Sequence, residues 1–271
     1  MLVIFCADPF DPQLPDPAYM GEIVAARAAG FECSLIGFEA LVDDDNPARA
    51  VRGVGMRPEP VLAVYRGWML RPIQYERLYA ALAVRNMLLI NDPAAYTHAH
   101  YLPASYHIIQ DHTPMFVWMR TGPDVAMDSM MSLLEPFGDG PVIVKDFVKS
   151  QKHHWATACY IPSASDRAAV EHVVRRFLEL QGPDLNEGLV CRAFVDLDPL
   201  TVHSRSGMLL TREYHIFYLD GRPLSTTQYW DEGNYGEAAP PHGLFDGLAR
   251  CREQVLHHGH RTAARRAVDH R

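Results

Sequence analysis

The chain has 271 residues, 48% hydrophobic and 21% charged, with a formal net charge of −8 at pH 7. That is enough apolar material for a substantial core in two lobes or domains, and the acidic balance argues against nucleic-acid binding, which wants a broad basic face. The longest apolar runs are strand-sized, well short of the ~20 residues of a membrane span.

MLVIFCADPF has no basic flank before its apolar run, so Leu2 to Cys6 reads as a first strand and not as a signal peptide. ADPFDPQLPDP ends that strand with four prolines that forbid regular structure. Tyr19 to Ala29 has helical composition, with Gly30 placed to stop it. CSLIGF and PVLAVYRGWM read as the next two strands. RPIQYERLYAALAVRNM reads as a helix with Pro72 in its first turn and apolar Ile73, Leu78, Leu82 and Val84. A short strand, LLI, is stopped by Asn91-Asp92-Pro93. Strands alternating with helices at this spacing predict an α/β lobe with a mostly parallel sheet.

From about Asp92 the rhythm changes, and a boundary is expected between Tyr96 and Pro114. Two short helical pieces lead to a strand, MFVWM, and then to a helix around Val125 to Leu134. VIVK and, less cleanly, WATACYI read as strands. Ser163-x-x-Asp166 resembles a capping box opening a helix through Leu180, which Gly182 and Pro183 end. GLVCRAFVDL is a further strand, and Asp220-Gly221 in REYHIFYLDGRPLSTTQYW suits a tight hairpin turn. This half is α+β and largely antiparallel. Cys6, Cys33, Cys159, Cys191 and Cys251 are odd in number, widely spaced and without a CxxC pair, as expected of reduced thiols in a cytoplasmic protein.

PVIVKDFVKSQKHHW gathers Lys145, Lys149 and Lys152 in an otherwise acidic chain. Either the three lysines are solvated loop residues, or they meet a strongly anionic ligand. PVIVKDFVKS, GLVCRAFVDL and TREYHIFYLDGRPL resemble, in order and spacing, the core strands of the ATP-grasp superfamily. YRGWML, INDPAAY and YWDEGNYG are similar to the lineage of that superfamily named for one arginine and two lysines. The resemblance covers most of Leu2 to Pro241. It implies an ATP-grasp-like fold: an N-terminal α/β pre-ATP-grasp domain over 1–105, a largely antiparallel, two-lobed but incomplete ATP-grasp domain over 106–250, and an atypical basic tail over 251–271.

By resemblance, ATP lies between two antiparallel sheets, and a small-molecule carboxylate is joined to an amine or thiol through an acyl phosphate. Lys145 then meets a phosphate or the purine edge. Lys149, in a mobile segment, closes over the β- and γ-phosphates, with Lys152 competing for that role. Ala193, Phe194 and Val195 lie where the interlobe hinge supplies backbone groups to adenine, with Asp196 or Asp198 near the ribose. An ordinary core strand is the alternative there. Arg212 opens a strand running beneath the phosphates, and His215 stands where an arginine is common, which lowers the positive charge at the acyl phosphate. Arg66 in YRGW resembles the lineage's arginine and faces substrate, or is simply an exposed charge after a strand.

Mg²⁺ should neutralise the phosphates, held by acids on the final strands of the fold. No metal ligands are identified. His98, His100, His107 and His112 lack converging spacing, and the end of the chain, CREQVLHHGHRTAARRAVDHR, has no acid after Glu253 except Asp269. This segment is expected to be a solvated helix or poorly ordered, leaving the sheet uncompleted and without its carboxylates. The degenerate codons of Arg252 to Arg261, read one base later, permit S-R-F-F-T-T-D-I, which looks like the superfamily's missing metal-binding strand. A frameshift that replaced the last strands accounts for the tail; a natural helical extension is the alternative.

Overall fold

Five apolar residues, Leu2–Cys6, form β1 in the middle of a four-stranded parallel sheet. In the computed structural model, which describes residues 1–204, 209–219, 222–236 and 255–261, the chain divides into two units, Met1–Thr97 and His98–Arg271. The first unit adds α1 (Met20–Ala28), β2 (Glu32–Ile36), α2 (Phe38–Val42), α3 (Pro47–Ala50), β3 (Val61–Arg66), α4 (Pro72–Ala83) and β4 (Met87–Leu89), with sheet order β2-β1-β3-β4. Successive β1 side chains point to opposite faces. Leu2 and Ile4 pack with Leu78 and Leu82 of α4, and Val3 and Phe5 with Ile23 of α1. A strand buried on both faces needs a continuous apolar run, as this one has. Pro72 supplies a fixed φ in the first turn of α4, and Gly30, at φ 81°, lets the chain turn after α1.

α5 (Pro93–His100) spans the division between the units, and α6 (Leu102–Ile109) follows. β5 (Phe116–Arg120), α7 (Met127–Leu134), β6 (Val142–Lys145), α8 (Trp155–Ala158), β7 (Tyr160–Ile161), α9 (Arg167–Gln181) and β8 (Gly188–Ala193) then build an antiparallel sheet of order β5-β8-β6-β7. Its inner face, with Val142, Val144 and Cys191, packs against Val170, Val174 and Phe177 of α9 and Met130 and Leu134 of α7. β9 (Pro199–Val202) pairs with β10 (Leu209–Thr211). β11 (Glu213–Leu219) lies between β12 (Arg222–Gln228) and β13 (Val255–Arg261). Tyr214, Ile216 and Tyr218 turn one face of β11 onto Ile109 and Tyr235.

Four sequence expectations need correction. α2 and α3 were not anticipated, being too short to show a period. WATACYI is not one strand: Trp155–Ala158 coils into α8, and only Tyr160–Ile161 pairs with β6. No capping box opens α9, because Asp166 itself is the N-cap and accepts from the N–H groups of Ala168 and Ala169 at 3.0 and 3.1 Å, while Ser163 bonds Ser165. Within Val255–Arg261 the expectation of a helical or unordered tail is overturned by β13, which pairs with β11 from Glu213↔Arg261 to Leu219↔Val255. Backbone pairing makes no demand on side-chain type beyond the absence of proline, and VLHHGHR has none. The arms of the expected hairpin pair as β11 and β12; its turn, Asp220-Gly221, lies outside the described residues, as do Cys251, Glu253 and Asp269.

Candidate functional site

Directly opposed residues of an antiparallel pair share a face. Lys145 lies opposite Val190, and Ile143 opposite both Arg192 and Tyr160. Val142 and Val144 point to the helices, so Lys145, Ile143 and Tyr160 occupy the other face of β6 and β7. At the edge of this face Trp155 stacks on Tyr160, with ring centroids 5.4 Å apart and planes within 13°, and Phe194 meets Tyr160 edge-on at 5.2 Å. Trp155 keeps 41% of its surface exposed. A flat, partly open aromatic wall beside a half-buried lysine suits a planar base carrying phosphates. Trp155 and Tyr160 were not singled out from the sequence, because a strand over WATACYI gives them no common location.

The lysine-rich segment is tied down rather than loose. Asp146, with 0% exposure, accepts at Oδ1 from the N–H groups of Val148, at 2.7 Å, and of Lys149. At Oδ2 it accepts from Gln181 Nε2, Asn186 Nδ2 and the Asn186 N–H, at 2.7, 2.8 and 3.2 Å. Lys149 itself is exposed, and its ammonium has no hydrogen-bond or ion-pair partner among the described residues. His100 lies close enough to feel both Asp146 and Lys149. Burial pushes it down to about 4, with Asp146 partly opposing and Lys149 reinforcing the shift.

Lys152 is differently placed. Its ammonium bonds Tyr229 Oη at 3.3 Å and sits 5.7 and 5.9 Å from the centroids of the Tyr229 and Trp230 rings. The His215 ring is 4.5 Å from that of Tyr229. Lys152, Tyr229, Trp230 and His215 thus converge, joining the lysine segment to β11 and the end of β12. Burial lowers the His215 pKa, with Glu213 opposing, so this ring is neutral at pH 7 where an arginine would be charged. Arg212 donates from its side chain to the Tyr235 carbonyl and from its backbone to the Asp198 carbonyl, the latter at 2.9 Å.

The hinge expectation is narrowed. The Ala193 N–H donates to the Met115 carbonyl at 2.8 Å and the Phe194 N–H to the Pro141 carbonyl at 2.9 Å. Two of the three amides assigned to adenine are therefore engaged, because β8 is a central strand and its pairing runs past its own end. The Val195 N–H has no partner among the described residues, and Val195 is 37% exposed. Asp196 is exposed and Asp198 half-buried.

In the first unit, Arg66 ends β3 beside β1, where the strand order reverses and open parallel sheets bind ligands. Its guanidinium pairs twice with Glu22, at 2.6 Å each, and lies 5.1 Å from the Tyr19 ring centroid. Both partners of this pair are about half exposed, which limits it to about 1 kcal/mol. A competing carboxylate therefore meets little resistance from it.

Mg²⁺ does not fit what is described. Among the described residues no three His, Cys, Asp or Glu side chains gather to hold a metal. Glu232 already accepts from Ser204 N and Oγ at 2.9 and 2.7 Å. β13 contains three histidines, an arginine and no carboxylate.

The described residues thus hold a parallel α/β unit and a unit with an antiparallel sheet, one face of which carries Lys145 and Tyr160. Residues 136–264 match the model of an ATP-grasp domain, family 3 of the clade named for one arginine and two lysines. Solved structures share the fold. A RimK domain protein ATP-grasp from Sphaerobacter thermophilus DSM 20745 aligns with TM-score 0.56 and 14% identity over 98% of this chain and 86% of that one. The ATP-grasp ligase PsnB, complexed with precursor peptide PsnA2 and AMPPNP, aligns with TM-score 0.53 and 9% identity over 97% and 84%. D-alanine–D-alanine ligase from Bacillus anthracis, complexed with ATP, aligns with TM-score 0.53 and 11% identity over 98% and 82%. No curated protein matches the sequence.

Proposed function

We propose that the protein binds ATP in the second unit and descends from ATP-dependent ligases that join a carboxylate to an amine or thiol through an acyl phosphate. The observation that carries this reading is the shared sheet face of Lys145 and Tyr160, with Trp155 of α8 stacked on Tyr160 and the Val195 amide without a partner among the described residues. Adenine stacks on Trp155 and meets Val195, and Asp196 or Asp198 approaches the ribose. Lys145 and Lys149 bind phosphate. Lys152 and the neutral His215 border the site of acyl transfer, with Arg212 beneath it; Arg66, at the switch point of the first unit, is a separate candidate for a carboxylate. The resemblance of YRGW, and the likeness of fold to ligases, support these roles.

A second reading is favoured by the acid-free sequence of β13: a nucleotide binder without ligase activity. Calorimetric titration with ATP, combined with an assay of ADP release with and without Mg²⁺, separates the two. Binding with Mg²⁺-dependent ADP release supports the ligase, and binding without release supports the degenerate binder. Neither binding nor release would mean that only the fold is kept, as in an interaction protein.

A further inference from the structure

We propose that Asp146 is the positioning residue that presents Lys149 to the phosphates. The inference rests on Lys149 as a phosphate-binding lysine and deepens that reading by assigning what holds it. An ionised carboxylate with no solvent contact persists only where donors replace its water. Asp146 has five such N–H donors, and two come from the segment it precedes, at Val148 and Lys149. In return the Asp146 N–H donates to the Lys149 carbonyl at 2.9 Å, so the turn is closed from both directions.

A second arm reaches beyond the lysine. Gln151 Nε2 donates to Gln181 Oε1 at 2.6 Å, and Gln181 Nε2 donates to Asp146 Oδ2 at 2.7 Å. Asn186 binds the same oxygen from the loop before β8. The residues on either side of Lys149 are thus anchored, through one carboxylate, to the last residue of α9 and to the approach to β8. Only the lysine side chain is left to move. A preorganised backbone lowers the ordering cost when phosphate binds. The direct sequence neighbour of Lys145 therefore fixes the second lysine, and the two cations are set by one turn.

The test is ATP titration of the full chain and of Asp146→Asn, Lys149→Ala and the double variant. Asparagine keeps the shape, but its N–H group must face donors on one side of the carboxylate site or the other, leaving some unsatisfied. Asp146→Asn and Lys149→Ala should each weaken ATP binding about tenfold, as loss of a charge-assisted contact does. The double variant should be no weaker than Lys149→Ala alone, an outcome that a general loss of stability would not give. Parent-like binding by Asp146→Asn, or losses that multiply in the double variant, would overturn the proposal. If the parent binds no ATP, or Lys149→Ala binds as the parent does, the reading of Lys149 fails and this inference falls with it. Should Asp146→Asn not fold, native-state hydrogen exchange on the parent chain decides. Strong protection of the Val148 and Lys149 amides supports the clamp, and exchange at the rate of an open loop refutes it.

Discussion

Lys145, Lys149 and Lys152 form one cluster in the sequence, and their surroundings separate them. Lys145 is fixed in a strand, Lys149 stands exposed on a clamped turn, and Lys152 rests on Tyr229 and Trp230. Lys145→Ala should therefore lower ATP affinity about tenfold or more while leaving the far-ultraviolet spectrum unchanged. Lys152→Ala should alter affinity less, because its ammonium already has partners; calorimetry on both variants gives the order. His100 makes a separate prediction about pH. Its pKa in the folded chain is about 4, against an ordinary value of 6.5. Above 6.5 the imidazole is neutral in both folded and unfolded chains. As the pH falls from about 6.5 to about 4 the unfolded chain takes up a proton that the native chain refuses, so stability is lost through that window, by on the order of 3 kcal/mol at most. Urea unfolding at pH 7 and pH 4.5 should show the loss, and His100→Phe should flatten it. An unchanged slope in that variant would assign the loss to other groups.

Elements with an unbroken apolar run or a clean helical period were legible: β1, α4, α9 and the arms of the β11–β12 hairpin all fall where the residues place them. Legibility failed where the decisive partner is far away in sequence. Trp155 coils into α8 beside Tyr160 and Phe194, and nothing within WATACYI announces Phe194. Asp146 reads as a polar loop residue until Gln181 and Asn186 are brought to it. Of the proposed site, the lysines and the segment after β8 can be picked out in the sequence, whereas the aromatic wall and the buried carboxylate cannot. Gly188 shows the same limit. It opens β8, and nothing in its sequence neighbours shows that a Cβ there would lie 2.8 Å from Arg120 Cα and Thr121 N and collide with the Met119 carbonyl. Since this is backbone of the neighbouring strand, side chains cannot yield. Gly188→Ala should destabilise the second unit by more than about 2 kcal/mol, measurable as a lowered urea midpoint. A parent-like midpoint would mean that β5 and β8 approach each other less closely.

At the scale of the whole chain, the question is what β13 does. It covers the open edge of β11, which as an unpaired edge would invite association with other chains. Its residues VLHHGHR bring no carboxylate to the strand position from which, by resemblance, the superfamily draws its Mg²⁺ acids. Edge pairing needs only backbone, so β13 can pair with β11 without carrying a carboxylate. If no other part of the chain holds a divalent ion, lysines alone do not supply the charge stabilisation that phosphoryl transfer needs. The codons of Arg252 to Arg261, read one base later, allow a strand of sequence S-R-F-F-T-T-D-I, which restores an acid and adds two aromatic residues. The chain with its present sequence should therefore bind ATP but release ADP far more slowly than the roughly 10 s⁻¹ of a typical enzyme. A chain expressed from DNA shifted by one base near the codon for Cys251 should gain Mg²⁺-dependent ADP release together with a higher unfolding midpoint, because two phenylalanines and an isoleucine replace histidines in the strand. If the present chain already releases ADP with Mg²⁺ at an ordinary rate, the frameshift account is wrong, and acids outside β13, Asp231 foremost, hold the metal.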